Sequence, residues 1–469
     1  MSETLRVPFL TGDEKDTLDH LVAQLAAKAP RNLLRSSYYD GKRAIKSVGT
    51  VIPPQYEKLG LALGWAAKGV DGLSRRCNLD AMVWADGDLK DLGIGELVDS
   101  NFLYSEISQG ETDSLLHGVS YLITTEGDES AGEPKALVHA KDALNATGDW
   151  NVRTRRLDNL LSVTSRDKDK ITGFVLYLDN LIISAEKDSS GWTVEKQAHT
   201  WGVPADPMPY SPRSSRRGGK SRINRPVMGF QDAALRALVR LEAHMDIYTI
   251  PKLILLGADE SIFKNADGSF KASWQVALGR AFGIPDNLDA EQANQRADVK
   301  QFDAASPKPH LDQLNSLAKL IARETDLPDT DFALTDMANP TSADAYGPSR
   351  ENLIAEAEGA TENWAPAIRR SVTRALAIQN GLTEVPKDWA GIDTKWRSPL
   401  YLSKAAAADA GAKQIGAVPW LADTQVGLEL LGLDSQQISR ALAEKRKASG
   451  RAVLEALTPA PVVPIADVG

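Results

Sequence analysis

Between residues 151 and 203 the hydrophobic period of this chain changes from that of a helix to that of a strand. "ITGFVLYL", "LIISAE" and "GWTVEKQAHTW" are rich in the β-branched and aromatic residues that suit a pleated, half-buried surface. Short polar turns separate them, at Asp179-Asn180 and at "KDSSG". The stretch predicts an antiparallel meander. Helical periodicity dominates on both sides of it, with a few short strands, and the expected class is α+β.

Before the meander, residues 11–29 predict a helix. Thr11 and Glu14 have capping-box spacing, and Leu18, Leu21, Val22 and Leu25 share one face. Pro30 is expected to stop it. "YYDGKR" (38–43) holds an Asp-Gly turn, helices are expected at 56–76 and 95–117, and strands at 118–125 and 136–142. After the meander, "VPADPMPYSP" is proline-rich and is expected to be irregular. A strong helix follows at 227–249, with Val227, Phe230, Ala234, Leu238, Leu241, Met245 and Tyr248 as its stripe and Asp232 and Arg236 paired on the other side. Short strands at 252–258 and 297–303 enclose a helix at 269–283. The next helix, 307–326, carries Leu311, Leu314, Leu317 and Ile321. A long one, 349–380, carries Leu353, Ala357, Trp364, Ile368, Val372 and Leu376, with Pro366 expected to bend it and Gly381 to end it. Helices at 399–414, 423–431 and 434–456 precede a tail whose composition predicts disorder.

Two charge features stand out. The chain has a formal net charge of −9, yet "SPRSSRRGGKSRINRP" (211–226) carries Arg213, Arg216, Arg217, Lys220, Arg222 and Arg225 and no acid. Such a loop is either a solvated hairpin or a contact for phosphate or an acidic partner. Tyr210 is its only neighbouring aromatic, so base stacking is not expected and contact with nucleic acid would be to backbone. The second feature is 326–344, with Asp326, Asp329, Asp331, Asp336 and Asp344 and no base. It is too long for an ordinary helix connection, which points to a functional loop.

Recognisable catalytic chemistry is missing. There is no Walker-type phosphate loop, no G-x-S-x-G elbow and no H-E-x-x-H pair. "SRDK" and "SLAK" match Ser-x-x-Lys without the partner motifs that acyl transfer needs. The six histidines have no ligand spacing, so neither metal nor cofactor is expected. A single cysteine fits a reducing compartment, and no apolar run approaches the ~20 residues of a membrane span. The expectation is a soluble chain, made inside a cell, with no membrane partner.

The ordered segments from the basic loop onward resemble the portal proteins of tailed bacteriophages, of the kind found in phages of actinobacteria. The similar stretches are 218–259, 306–328, 342–354 and 398–414, together with the early "YYDGKR". The resemblance implies a portal fold. It would comprise an α/β wing over 1–225, a first stem helix at 226–250, a small α/β clip at 251–305 and a second stem helix at 306–326. A tunnel loop at 326–344, a bent spine helix at 345–381, crown helices at 382–457 and a disordered tail at 458–469 would follow. It implies a homo-oligomeric ring of about twelve subunits at one capsid vertex. That ring would be a channel through which double-stranded DNA passes non-specifically, and a dock for the large terminase subunit and head-completion or adaptor proteins. Major capsid and scaffold proteins would surround it, assembly would occur in the host cytoplasm, and ATP hydrolysis would belong to the terminase. The rival expectations are a nucleic-acid-processing enzyme with an unrecognised carboxylate site, and a capsid scaffold or shell protein.

Overall fold

The computed structural model describes residues 5–42, 60–168, 170–248, 252–256, 264–265, 267–270, 298–302, 306–332, 350–400 and 404–457. Helix α1 (Gly12–Tyr39) starts at the expected capping box, with the Glu14 N–H donating to Thr11 Oγ1 and the Thr11 N–H to Glu14 Oε2 at 2.7 Å. Pro30 does not end it. A proline removes the N–H that the carbonyl four residues back would accept, but the next turns are anchored from outside. Asn32 Nδ2 donates to the Ala143 carbonyl at 2.9 Å, Arg35 Nη1 to the His117 carbonyl at 2.7 Å, and the Tyr38 hydroxyl to Asp232 at 2.8 Å. The helix stops at the Asp-Gly turn instead, where Gly41 has φ +67°.

Helix α2 (Trp65–Ser74) is shorter than expected, because 60–64 are not helical and Gly60 has φ +67°. Strand β1 (Leu79–Trp84) follows. The expected helix at 95–117 is two, α3 (Ile94–Asn101) and α4 (Leu103–His117), broken at Phe102 with φ +47°. At the break the buried Asn101 donates to the Ala136 carbonyl and accepts from the Val138 N–H, as a neighbouring strand would. Those contacts fall on β3 (Ala136–Asp142), which pairs antiparallel with β2 (Val119–Glu126).

The meander is β4 (Ala146–Asn151), β5 (Arg156–Asp167), β6 (Lys170–Leu178), β7 (Leu181–Lys187) and β8 (Trp192–Ala198), each antiparallel to the next. Its alternation sorts two cores. Leu161, Phe174, Leu176 and Ile183 bury against Leu18, Leu21 and Leu25 of α1. Leu160, Tyr177 and Ile182 face Tyr121, Ile123 and Ala205. Ala205 opens a strand inside the proline-rich stretch, β9 (Ala205–Pro209), which borders β2 in a sheet of order β3-β2-β9. It is an edge strand, where the missing N–H of Pro207 and Pro209 disrupts no second ladder.

Helix α5 (Arg225–Tyr248) buries the row Val227, Gln231, Leu235, Val239 and Ala243. The expected stripe is rotated from this row, and Met245 is exposed while Asp232 serves Tyr38. Strands β10 (Lys252–Leu256) and β11 (Asp298–Phe302) form an antiparallel pair, and α6 (Lys308–Glu324) returns along α5. Asn224, just before α5, donates to Glu324 at 2.6 Å, and His244 stacks edge-on to His310 with ring centres 5.1 Å apart. The two helices are therefore antiparallel. The expected helix at 269–283 falls almost wholly outside the described residues.

Helix α7 (Glu351–Gln379) carries the expected stripe, and all six of its residues are buried. Pro366 lies within it. Trp364 Nε1 donates to Ser114 Oγ at 3.1 Å, and Arg370 and Arg374 both bind the buried Asp206 of β9. Gly381, at φ +70°, closes it as expected, with the Leu382 N–H donating to the Ala377 carbonyl. Strand β12 (Ile392–Trp396) pairs with β1, and α8 (Lys404–Ala417), α9 (Gln425–Leu430) and α10 (Ser435–Leu457) follow. The chain divides into two compact units, Met1–Cys77 with Val83–Asp393, and Asn78–Met82 with Thr394–Gly469. In the second, Asp80 pairs with Arg397 at 3.0 Å and Lys395 with Glu429 at 2.5 Å.

Candidate functional site

The basic loop is tied down along its length. Arg213 and Arg216 exchange backbone hydrogen bonds at 3.1 and 2.9 Å, closing a tight hairpin. Lys220 donates its N–H to the Tyr210 carbonyl, and the Arg222 N–H donates to the Leu115 carbonyl. Ser221 Oγ donates to the Leu116 carbonyl at 2.6 Å. Gly219 sits at φ +63° with the Gly118 and Tyr210 carbonyls 2.3 Å from where a Cβ would be, so only glycine passes there. Asn224 then caps α5 by accepting from the Val227 N–H.

Its six cations divide. Arg213, Arg217, Lys220 and Arg225 are exposed and Arg216 is half-buried. Arg222 leaves the set of accessible charges, because it is buried and fully engaged. Its Nε donates to the Gly69 carbonyl at 2.7 Å, Nη1 to the Tyr210 hydroxyl at 3.1 Å, and Nη2 to the Thr325 carbonyl. Nη1 also pairs with Glu356 at 2.6 Å, while the Tyr210 hydroxyl donates to the same carboxylate. Burial works to discharge Arg222, but Tyr210 and Glu356 outweigh it and hold the guanidinium charged. One side chain thus joins α2, the end of α6 and α7.

That node reaches the start of the acidic loop. Asp326 follows α6 at φ +51°, and burial followed by the Glu356 charge raises its carboxyl, with Arg222 and Lys220 acting the other way. Leu327 is buried against Gly72, and Asp329 and Asp331 lie in a short 3-10 turn. Phe332 then packs edge-on to Trp65 at 6.0 Å. Asp336 and Asp344 lie outside the described residues.

Sequence reading missed the charge that α1 adds to the loop. Burial, then Arg31 and then Arg216 push Arg35 down to about 10. Burial, Arg31 and Arg213 likewise lower Arg216. Lys28 is lowered by burial and by Arg31. These residues are about 180 positions from the loop in sequence, and only the fold brings them together. Among the described residues no group of three or more His, Cys, Asp or Glu could hold a metal ion. No described helix is long and apolar enough to cross a membrane.

The family model of the SPP1 Gp6-like phage portal proteins matches residues 18–451. The chain belongs to this phage portal protein family. It is 25% identical over 389 residues to the portal protein of Mycobacterium phage D29, covering 81% of this chain and 78% of that protein. It is 24% identical over 388 residues to the portal protein of Mycobacterium phage L5, with the same coverage of 81% and 78%. Among solved structures, the chain is similar to one from the virion of a native gene transfer agent particle, with TM-score 0.41 and 14% identity over 86% of this chain and 93% of that one. A chain from the neck of the native particle, computed with C12 symmetry, gives TM-score 0.41 and 14% identity over 85% and 99%. Portal-family membership assigns the chain to the ring at a capsid vertex through which DNA passes. It is a structural family, and the α+β class expected from the period change stands.

Proposed function

We propose that about twelve copies of this chain close head-to-tail into a portal ring through which double-stranded DNA is packaged and ejected without sequence-specific contact. In that ring α5 and α6 form the stem, β10 and β11 belong to the clip where the large terminase subunit and later the head-completion proteins dock, and 326–344 is the tunnel loop. Helix α7 is the spine, the C-terminal helices are the crown, and residues up to 225 form most of the wing beside the capsid and scaffold proteins. The chain itself performs no catalysis, and rings assemble in the host cytoplasm before entering the virion.

The observation that carries this reading, beyond family membership, is the α5–α6 hairpin. Its two helices are antiparallel in full register, and α5 alone is about 36 Å long at ~1.5 Å per residue. Leu320 remains 46% exposed on it, an apolar side chain that a neighbouring copy would cover in the ring. Native mass measurement with negative-stain imaging of the purified chain tests the proposal. Closed rings of about twelve copies are expected. A stable monomer at micromolar concentration that also gives no rings in capsids would refute it.

A further inference from the structure

A cavity of about 630 Å³ opens at one end of the β3-β2-β9 sheet, between α1, the meander, the basic loop and α7. Six cations line it, Lys28, Arg31, Arg155, Arg216, Arg217 and Arg370, and no acid does. Arg370 shares the Asp206 carboxylate with Arg374. None of the other five makes an ion pair among the described residues; Lys28 donates to the neutral oxygens of Gln24 and Thr147, and the Asp149 charge behind them acts on it in part. The floor is apolar, with Tyr121, Trp150 and Pro207. His117 also lines it, is buried, and has an Nδ1 with no hydrogen-bond partner among the described residues. Charge gathered with so little countercharge over an apolar floor is costly for a chain that has nothing to place there.

The opposite end of the same strand carries the complement. The β2–β3 hairpin, from Glu126 at the end of β2 to Lys135 before β3, holds Glu126, Asp128, Glu129 and Glu133, with Lys135 as its one base. Asp128, Glu129 and Glu133 are exposed. The tip is built, not loose. Asp128 Oδ1 accepts from the Ser130 N–H at 2.9 Å and from its hydroxyl at 2.5 Å. The Asp128 N–H donates to Glu133 at 2.9 Å, and the Gly127 N–H to the Lys135 carbonyl at 3.1 Å. The hydrogen bonds from Ser130 hold the Asp128 carboxyl below its ordinary range, so it stays charged. A preformed tip loses little further freedom on docking.

We propose that the cationic cavity of one copy receives the acidic β2–β3 hairpin of the next, a contact that rests on the ring reading and supplies its head-to-tail interface. Val119 and Tyr121 line the cavity, and Glu126 begins the hairpin, so cavity and hairpin are separated by the stretch of β2 from Tyr121 to Glu126. That is about 17 Å at ~3.3 Å per residue, with the hairpin tip pointing away along the strand, too far for a chain to fill its own cavity. Two different patches that recognise each other make a heterologous interface, which is what closes identical subunits into a ring. Duplex DNA fits the cavity less well. Its phosphates would reach the rim, leave the apolar floor uncovered, and gain nothing from Trp150 or Tyr121.

The test places cysteines at Glu129→Cys and Arg217→Cys in one full-length chain. The native Cys77 is buried and does not compete. Mild oxidation should give a ladder of covalent multimers from the double variant and no more than dimers from either single one. In a second arm, Arg217→Glu and Glu129→Arg should each lower ring yield about tenfold at low salt. The chain carrying both should recover to within about threefold, because every interface then holds the reversed pair. Rings without the ladder, or a double reversal as poor as the single ones, would overturn the proposal. So would an Arg217→Glu chain that assembles normally but loses affinity for duplex DNA. If the parent chain forms no rings, the portal reading fails, while the ladder still reports whether hairpin and cavity meet.

Discussion

Replacing Arg222 by alanine should damage the fold, although the exposed Arg217 of the same loop can be truncated almost without cost to the stability of the chain. The Arg222 side chain is 4% exposed and its Glu356 partner 22%. Truncation strands the Gly69 and Thr325 carbonyls and leaves a largely buried carboxylate whose remaining partner is the Tyr210 hydroxyl. Breaking one side of a buried ion pair costs about 3–5 kcal/mol. Glu356 retains some solvent, which places the expectation near the lower end, at about 3 kcal/mol. Arg222→Met with Glu356→Gln removes the orphaned charge and should lose only about 1–2 kcal/mol. Arg217→Ala, on an exposed side chain of the same loop, should stay within about 0.5 kcal/mol. Urea unfolding, followed by a probe in the larger unit, reads these as midpoint shifts at constant slope. A loss below about 1 kcal/mol for Arg222→Ala, or an equal loss for Arg217→Ala, would show that the node does not hold α2, α6 and α7 together.

Pro30→Ala should stabilise the chain by about 1–3 kcal/mol, since it restores a donor inside α1 without touching the anchors beyond it; an unchanged unfolding midpoint would mean the helix is already relaxed around the proline. Gly219→Ala should cost about 3 kcal/mol or more, because its Cβ meets two carbonyls at a positive φ, and retention of the parent melting temperature would refute the close approach. Burial, and then the Asp142 charge, raise Asp113 to about 7, so the folded state binds more protons than the unfolded one between about pH 4 and 7 and its stability falls as pH rises through that window. Asp113→Asn should therefore match the parent at pH 4 and exceed it at pH 8, by about 1–2 kcal/mol after allowance for solvent; a larger gain at pH 4 would reverse the sign. Changing Asp329, Asp331 and Asp336 together to Lys should slow DNA packaging, most strongly at low salt, and leave ring formation intact; full-length genomes packaged at the parent rate in low salt would place this loop away from the DNA.

Local signals in the sequence carried far. The capping box of α1, the stripe of α7, the Gly381 stop and the meander rest on contacts within one element or between neighbouring ones, so spacing alone reveals them. What stayed hidden depends on partners distant in the chain. Pro30 is carried by Ala143 and His117, and β9 survives its prolines because β2 leaves it an edge. Strands β1 and β12 pair across some three hundred residues, so neither shows a hairpin signal. Arg222 sits in a basic run that looks uniformly solvated, and nothing in "KSRIN" distinguishes it from Lys220 until Glu356 arrives from α7. The cationic cavity is the extreme case, since α1, the β4–β5 turn, the basic loop and α7 each bring one or two charges that are ordinary alone.

An acidic chain with one concentrated basic region poses a problem for a DNA conduit. Exposed arginines near a passing duplex exchange counterions with phosphate, and each such contact strengthens attachment and steepens its salt dependence. A conduit that must let DNA slide cannot leave six cations open in its path. Burying Arg222 in a node with Glu356 removes one of them. Seating the neighbour's Asp128, Glu129 and Glu133 in the cavity would remove Arg216 and Arg217 by the same chemistry, using between subunits what Arg222 uses within one. The net negative surface left over would then repel the duplex over a Debye length of ~8 Å. The basic loop would then serve the ring chiefly by holding it together, with Arg216, Arg217 and Arg222 covered and Arg213, Lys220 and Arg225 left to solvent.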